Sequence, residues 1–158
     1  MSNITKYHKE FRKEIESLEN TLLQSNDPGI AKGDSDLFPL NHYFAKGLYI
    51  REMFIKKGFF LIGKIHKHDH IWFLLKGKLL VITEDGKKEV VAPFFTSSVA
   101  GTKKIGYALE DSLFINVHPN PLDHKNIDEI EKEVVVKNYK DYNKFLLTHK
   151  EKVKILKK

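Results

Sequence analysis

At 158 residues, with 41% hydrophobic and 30% charged side chains, the chain has the makings of one globular domain and is too short for two comfortable ones. It lacks cysteine, which excludes disulfides and thiolate chemistry, and no apolar run approaches the ~20 residues of a membrane span. The net charge of +6 is nearly all lysine, because only Arg12 and Arg51 among the 27 basic residues are arginine, the side chain that forks onto phosphate and guanine edges; nucleic-acid binding is therefore a minority expectation.

Met1 to Lys13 is polar and charged, without the apolar core of a secretory signal, so the expected compartment is the cytoplasm, or a host's cytoplasm if the chain is viral. Ile4, Tyr7, Phe11, Ile15, Leu18 and Leu22 recur at spacings of three and four. They predict an amphipathic helix over 3–24, lying on the domain or on a second copy. Ser25-Asn26-Asp27-Pro28-Gly29 stops it, and polar loop continues to Pro39. From Leu40 the period changes. Short aromatic and β-branched runs cover 41–45, 48–55 and 59–62, followed by the histidine stretch 63–77 and a further run over 78–83. Asp85-Gly86 is a hairpin signal, and Pro93 permits only an edge strand or a strand start. Runs at 94–99, 105–109 and 112–118 complete the set, closed by Pro119-Asn120-Pro121. Many short strands separated by turns indicate an antiparallel sandwich or small barrel.

Helix returns at Asn126, a capping residue followed by acids in the first turn. Tyr142, Leu146, His149, Val153 and Leu156 then form a docking stripe with a lysine-rich back. The end, Lys150, Lys152, Lys154, Lys157 and Lys158, reads as a solvated tail, with docking to nucleic acid or an acidic partner as the weaker alternative. The expected organisation is a helical arm and loop over 1–37, a β-barrel over 38–120 and a helical tail over 121–158.

Within that frame His66, His68 and His70 alternate ahead of the apolar run Ile71-Trp72-Phe73-Leu74-Leu75, which stops at Gly77. Side chains two apart on a strand share a face, so the three imidazoles are expected to converge as ligands for a divalent metal, Zn, Fe, Mn or Ni. His118, on a strand that carries Phe114 and Asn116, is the best candidate for a further ligand, and Tyr107 could offer a phenolic hydroxyl in the barrel mouth. The bland alternative is a polar strand edge with hydrated histidines. Trp72 and Phe73 read first as core, with Trp72 as a stacking wall for a ligand as the other option. Glu52 reads as a surface partner of Arg51 or as an acid pointing inward. His8, His42, His124 and His149 are assigned to surface or helix contacts. No Gly-rich phosphate loop or Ser-His-Asp order argues for another enzyme class.

The β region resembles the cupin family over about half of the chain. Gly58, His66-x-His68 and Gly77 follow the glycine, His-x-His and closing glycine of the first cupin motif. His70 stands where that motif has its glutamate. Counted back from Gly77, His66 is the second histidine and Lys64 takes the first place; counted forward, His66 and His68 are the pair. In the second motif Gly101 keeps the glycine, while Lys104 replaces the histidine ligand and Ala108 the asparagine. The phrase Ala100-Gly101-Thr102-Lys103-Lys104-Ile105-Gly106-Tyr107-Ala108 is similar to small cupin-like proteins of bacteriophages. The resemblance implies a mainly β chain, a double-stranded β-helix or jelly-roll barrel flanked by helices, pairing as a homodimer. Two functions of different class follow: a metal-binding barrel holding a small polar ligand, as an enzyme or not, and a non-catalytic structural or interaction module.

Overall fold

The computed structural model describes residues 6–28, 30 and 36–156, with side chains through His149. Ile4, Gly29, Lys157 and Lys158 lie outside the described residues, as do the side chains of Lys150, Lys152, Val153, Lys154 and Leu156. The first helix, α1 (Lys6–Gln24), leads into nine strands: β1 (Leu40–Ala45), β2 (Gly47–Ile55), β3 (Phe60–Ile62), β4 (Ile65–His66), β5 (His70–Lys76), β6 (Lys78–Thr83), β7 (Gly86–Val91), β8 (Phe94–Ser98) and β9 (Ile105–Ala108). The long β10 (Ser112–Asn120) follows, and then α2 (Ile127–Val134), β11 (Val135–Val136) and α3 (Tyr139–Leu156).

Two antiparallel sheets, β1-β2-β10-β5-β8 and β3-β9-β6-β7, face each other as a jelly roll, and a short pair β11-β4 closes one end. Ile55, Trp72 and Leu74 from the larger sheet meet Leu79, Val90 and Ala108 from the smaller one in the main core. Full burial of such a side chain is worth about 1.5–3 kcal/mol. The Asp85-Gly86 signal becomes the β6–β7 turn, with Thr83 opposite Gly86. Pro93 precedes β8, an edge strand, where its missing N–H breaks no ladder. At Gly77 the chain turns from β5 into β6 at φ +86, and a Cβ there would stand 2.3 Å from the Asp111 carbonyl oxygen. Only glycine satisfies both conditions.

The N-terminal helix docks on a face offset from the predicted stripe. Tyr7 and Leu18 point outward, whereas Ile15 is buried beside Arg12, Glu16 and Glu19. Those polar residues, four and three apart, anchor α1 through specific bonds: Arg12 grips Glu84 as a fork with Nη2 2.7 Å from Oε1, and Glu16 accepts the Tyr139 N–H at 2.7 Å. Glu19 accepts a 2.9 Å bond from Lys103 Nζ, a fully buried ammonium. In α3, Tyr139, Tyr142, Phe145 and Leu146 cover Ile65, but His149 stays exposed against Phe145 and does not belong to the docking stripe.

The outer face of the larger sheet carries few polar groups. Phe95 stacks on Phe73, which stands opposite Ile115, while Ile71 stands opposite Val117 and Tyr43 opposite Ile50. Phe95 is 70% exposed and Leu75, Tyr43 and Ile71 about half exposed.

Candidate metal centre

Strand alternation builds the centre from the larger sheet's inner face. On β5 the inward residues are His70, Trp72 and Leu74, and on β10 they are Ser112, Phe114, Asn116 and His118. Register aligns them in layers: Asn116 lies between Arg51 and Trp72, and in the layer above His118 faces Tyr49 and His70 faces Ser98. The third imidazole, His66, comes from β4. Its position is fixed on both sides, by pairing with Val135 and by the Gly101 N–H, which donates to the His66 carbonyl at 2.9 Å. Gly101 has φ +85 and a Cβ there would stand 2.6 Å from the Tyr142 ring, so this contact too demands glycine.

His66 stacks on His70 with centroids 3.9 Å apart, and His118 lies 4.9 Å from His66 and 5.0 Å from His70. One ring nitrogen of each falls within 4.8 Å of the others, and all three side chains are buried. Tyr49, Ile130, Val134 and Val135, with Phe44 and Ile127, close the barrel end above them. Asn126 caps α2 there by accepting from the Asp128 and Glu129 N–H groups. From α2, Glu131 reaches Lys64 Nζ at 2.6 Å and Arg51 Nη1 at 3.6 Å.

The electrostatics favour neutral imidazoles, the state that binds metal. Burial, then repulsion from His70 and His118, drives His66 far below the usual histidine range. Burial and the nearby Lys104 ammonium lower His70 to about 4, opposed by polar contacts from His68 and Asn116. Burial, His70 and Arg51 bring His118 to about 3. Burial also lowers Lys104, whose Nζ sits 5.9 Å from the centre of the Trp72 ring, to about 8.

Seven buried side-chain polar atoms among the described residues lack a hydrogen bond, and six are here: Arg51 Nε, His66 Nδ1, both His70 nitrogens, Ser98 Oγ and Asn116 Oδ1. Asn116 is near His70, but its geometry falls short of a bond. A buried polar atom left unpaired costs about 1–3 kcal/mol, so six in one place call for partners that an ion or water would supply. A divalent ion fits the donor set. Each ring offers a lone pair, and bonds of about 2.0–2.1 Å would draw the nitrogens closer than they now stand.

The structure brings three of the four histidines expected as ligands together and places the remaining candidates elsewhere. His66, His70 and His118 come together, but His68 does not join them: residues 67–69 bend out of the strand, so His68 is exposed edge-on to Phe145. It lines a cavity of about 230 Å³ with Pro119, Leu122 and His124, beside Ile130 and Val134 of α2. Glu52 sits on the outer sheet face and accepts from Asn41 Nδ2 at 2.8 Å; Arg51 pairs instead with Glu131. Tyr107 also faces outward, because Gly106 and Ala108 take the inward positions of β9. Trp72 is core, packed on Phe94 and Phe114 one layer below the imidazoles. Arg51 is the residue that sequence reasoning missed. Tyr49, Met53 and Ile55 share its strand parity, a pattern that already places its side chain inward.

No family model matches the chain, and no curated protein matches it significantly. Solved structures do. A salicylate 1,2-dioxygenase from Pseudaminobacter salicylatoxidans superposes on 82% of this chain and 36% of its own, at 9% identity and a TM-score of 0.52. KdgF from a Halomonas species covers 54% of this chain and 81% of its own at 19% identity and a TM-score of 0.47. A cupin-2 domain protein from Shewanella frigidimarina covers 55% and 85% at 11% identity and a TM-score of 0.46. The architecture is the cupin jelly roll.

Proposed function

We propose that this cupin-fold chain binds one divalent first-row ion, Zn, Fe, Mn or Ni, through His66, His70 and His118, and holds a small polar ligand beside it. The observation that carries the reading is the convergence of three buried, neutral imidazoles, with both His70 nitrogens unpartnered. A bound ion of this kind supplies Lewis-acid polarisation of a ligand oxygen, or oxygen chemistry if it is iron. The chain's own part is to hold the three rings neutral, to close the barrel end with α2 and to floor the site with Trp72. Metal-dependent catalysis belongs to this reading, as do the cytoplasmic setting and the kinship with phage proteins expected from the sequence.

A Co(II) titration of the untagged protein tests it. One equivalent should produce visible d–d bands that are lost in the His66→Ala and His118→Ala variants; bands of equal strength in those variants would refute the ligand assignment.

A second reading, an interaction module that pairs with its own copy, draws on the apolar outer sheet face. Phe95, Leu75, Tyr43 and Ile71 together expose a continuous apolar patch of the kind that marks interaction surfaces. Twisted sheets pack face to face about 30° apart, so such a face suits a second copy of itself. The two readings are compatible, because that face is the opposite side of the sheet from the histidines.

A further inference from the structure

A metal ion would satisfy the imidazoles and leave other groups unmet. Arg51 Nε, a donor, is buried without an acceptor, as is Ser98 Oγ, and the Lys104 ammonium stands over Trp72 close enough to depress all three histidines. Among the described residues Arg51 pairs with one carboxylate, Glu131, which it shares with Lys64, and no carboxylate pairs with Lys104. Buried positive charge in that excess calls for an anion. The donors are one guanidinium edge, one ammonium and one hydroxyl beside a flat indole. A guanidinium edge and an ammonium take carboxylate and phosphate alike, and it is the flat indole beside them that favours the planar carboxylate.

We infer that the ligand held at this centre is a small carboxylate, whose oxygens take the Arg51 guanidinium, the Lys104 ammonium and the Ser98 hydroxyl while its body lies along Trp72. This deepens the metal-centre reading and rests on it. Asn116 Oδ1, an acceptor, remains for a hydroxyl on the ligand or for the His70 N–H.

Trp72 is the chain's single tryptophan, so its fluorescence reports on this site alone. The full-length protein, with zinc content measured on the same sample, is titrated with acetate, with acetamide as the uncharged isostere and with inorganic phosphate. Acetate should change the emission saturably and acetamide should not. Arg51→Gln and Lys104→Gln should each weaken acetate by about tenfold or more at unchanged zinc stoichiometry, the loss of one charge-assisted bond. Acetamide matching acetate, phosphate binding more tightly than acetate, no saturable change with acetate, or both variants behaving as the parent would overturn the inference. Circular dichroism checks the variants' folding, and Lys104→Gln carries the decision if Arg51→Gln unfolds. Failure to hold zinc would refute the metal centre separately. Acetate titration of the zinc-free protein against the same two variants would then decide the anion site.

Discussion

Acidification of the metal-free protein should destabilise it through the three buried imidazoles. In the fold, His70 titrates at about 4 and His118 at about 3, against 6.5 for an ordinary histidine. Each native-state pKa is depressed, so its stabilising contribution is complete above 6.5 and drains away as the pH falls toward the folded value. At about pH 5 the unfolded chain has protonated each ring and the fold has not, which costs about 2 kcal/mol per ring. His70 and His118 together then lose about 4 kcal/mol, a large share of the 5–15 kcal/mol that holds a domain together. Arg51, Lys104 and the neighbouring rings all oppose protonation, while Glu131 lies against Arg51 and Lys64 and Asp69 is taken up by the Ala100 N–H. Urea melts of chelator-treated protein at about pH 7.5 and about pH 5 would read the difference, with His70→Gln removing about 2 kcal/mol of it. Equal stability at both pH values, or a loss of the same size in His70→Gln, would refute the electrostatic account.

Three further outcomes are expected. His68→Ala should leave metal affinity unchanged while His70→Ala abolishes tight binding, measured by isothermal titration with zinc; equal losses would restore the alternation that the bend at residues 67–69 breaks. Gly77→Ala should lower stability by about 2 kcal/mol or more, because its φ of +86 and the Asp111 carbonyl 2.3 Å from the new Cβ both oppose a side chain; a wild-type melting temperature would contradict the turn geometry. On the paired-module reading the parent sediments as a dimer and Phe95→Lys, at a side chain 70% exposed on the outer sheet face, as a monomer with unchanged zinc stoichiometry; a monomeric parent or an unchanged mass would exclude that face as the contact.

The sheet was legible because strand alternation and turn chemistry are local. Asp85-Gly86 and Pro93 each carried a conformational demand that the fold meets at the expected place. The inward placing of His70 and His118 was legible for the same reason, because both sit on regular strands whose parity turns them inward. His68 was misplaced because the alternation was assumed to run unbroken. Asp69 instead accepts the Ala100 N–H at 2.8 Å and holds a bend, as its poor strand propensity allows. The closure of the barrel end by α2 and β11 depends on pairing between Val135 and His66, residues far apart in sequence with no pattern to announce it. The docking face of α1 was likewise set by tertiary partners of Arg12, Glu16 and Glu19, which an apolar stripe does not record.

Elemental analysis of the purified, untagged chain addresses the centre most directly. Close to one first-row metal per chain, falling to background when His66, His70 and His118 are replaced by alanine and the fold is retained, is the predicted result. A metal content far below one per chain, after the protein has been offered Zn, Fe, Mn and Ni in turn, would contradict it.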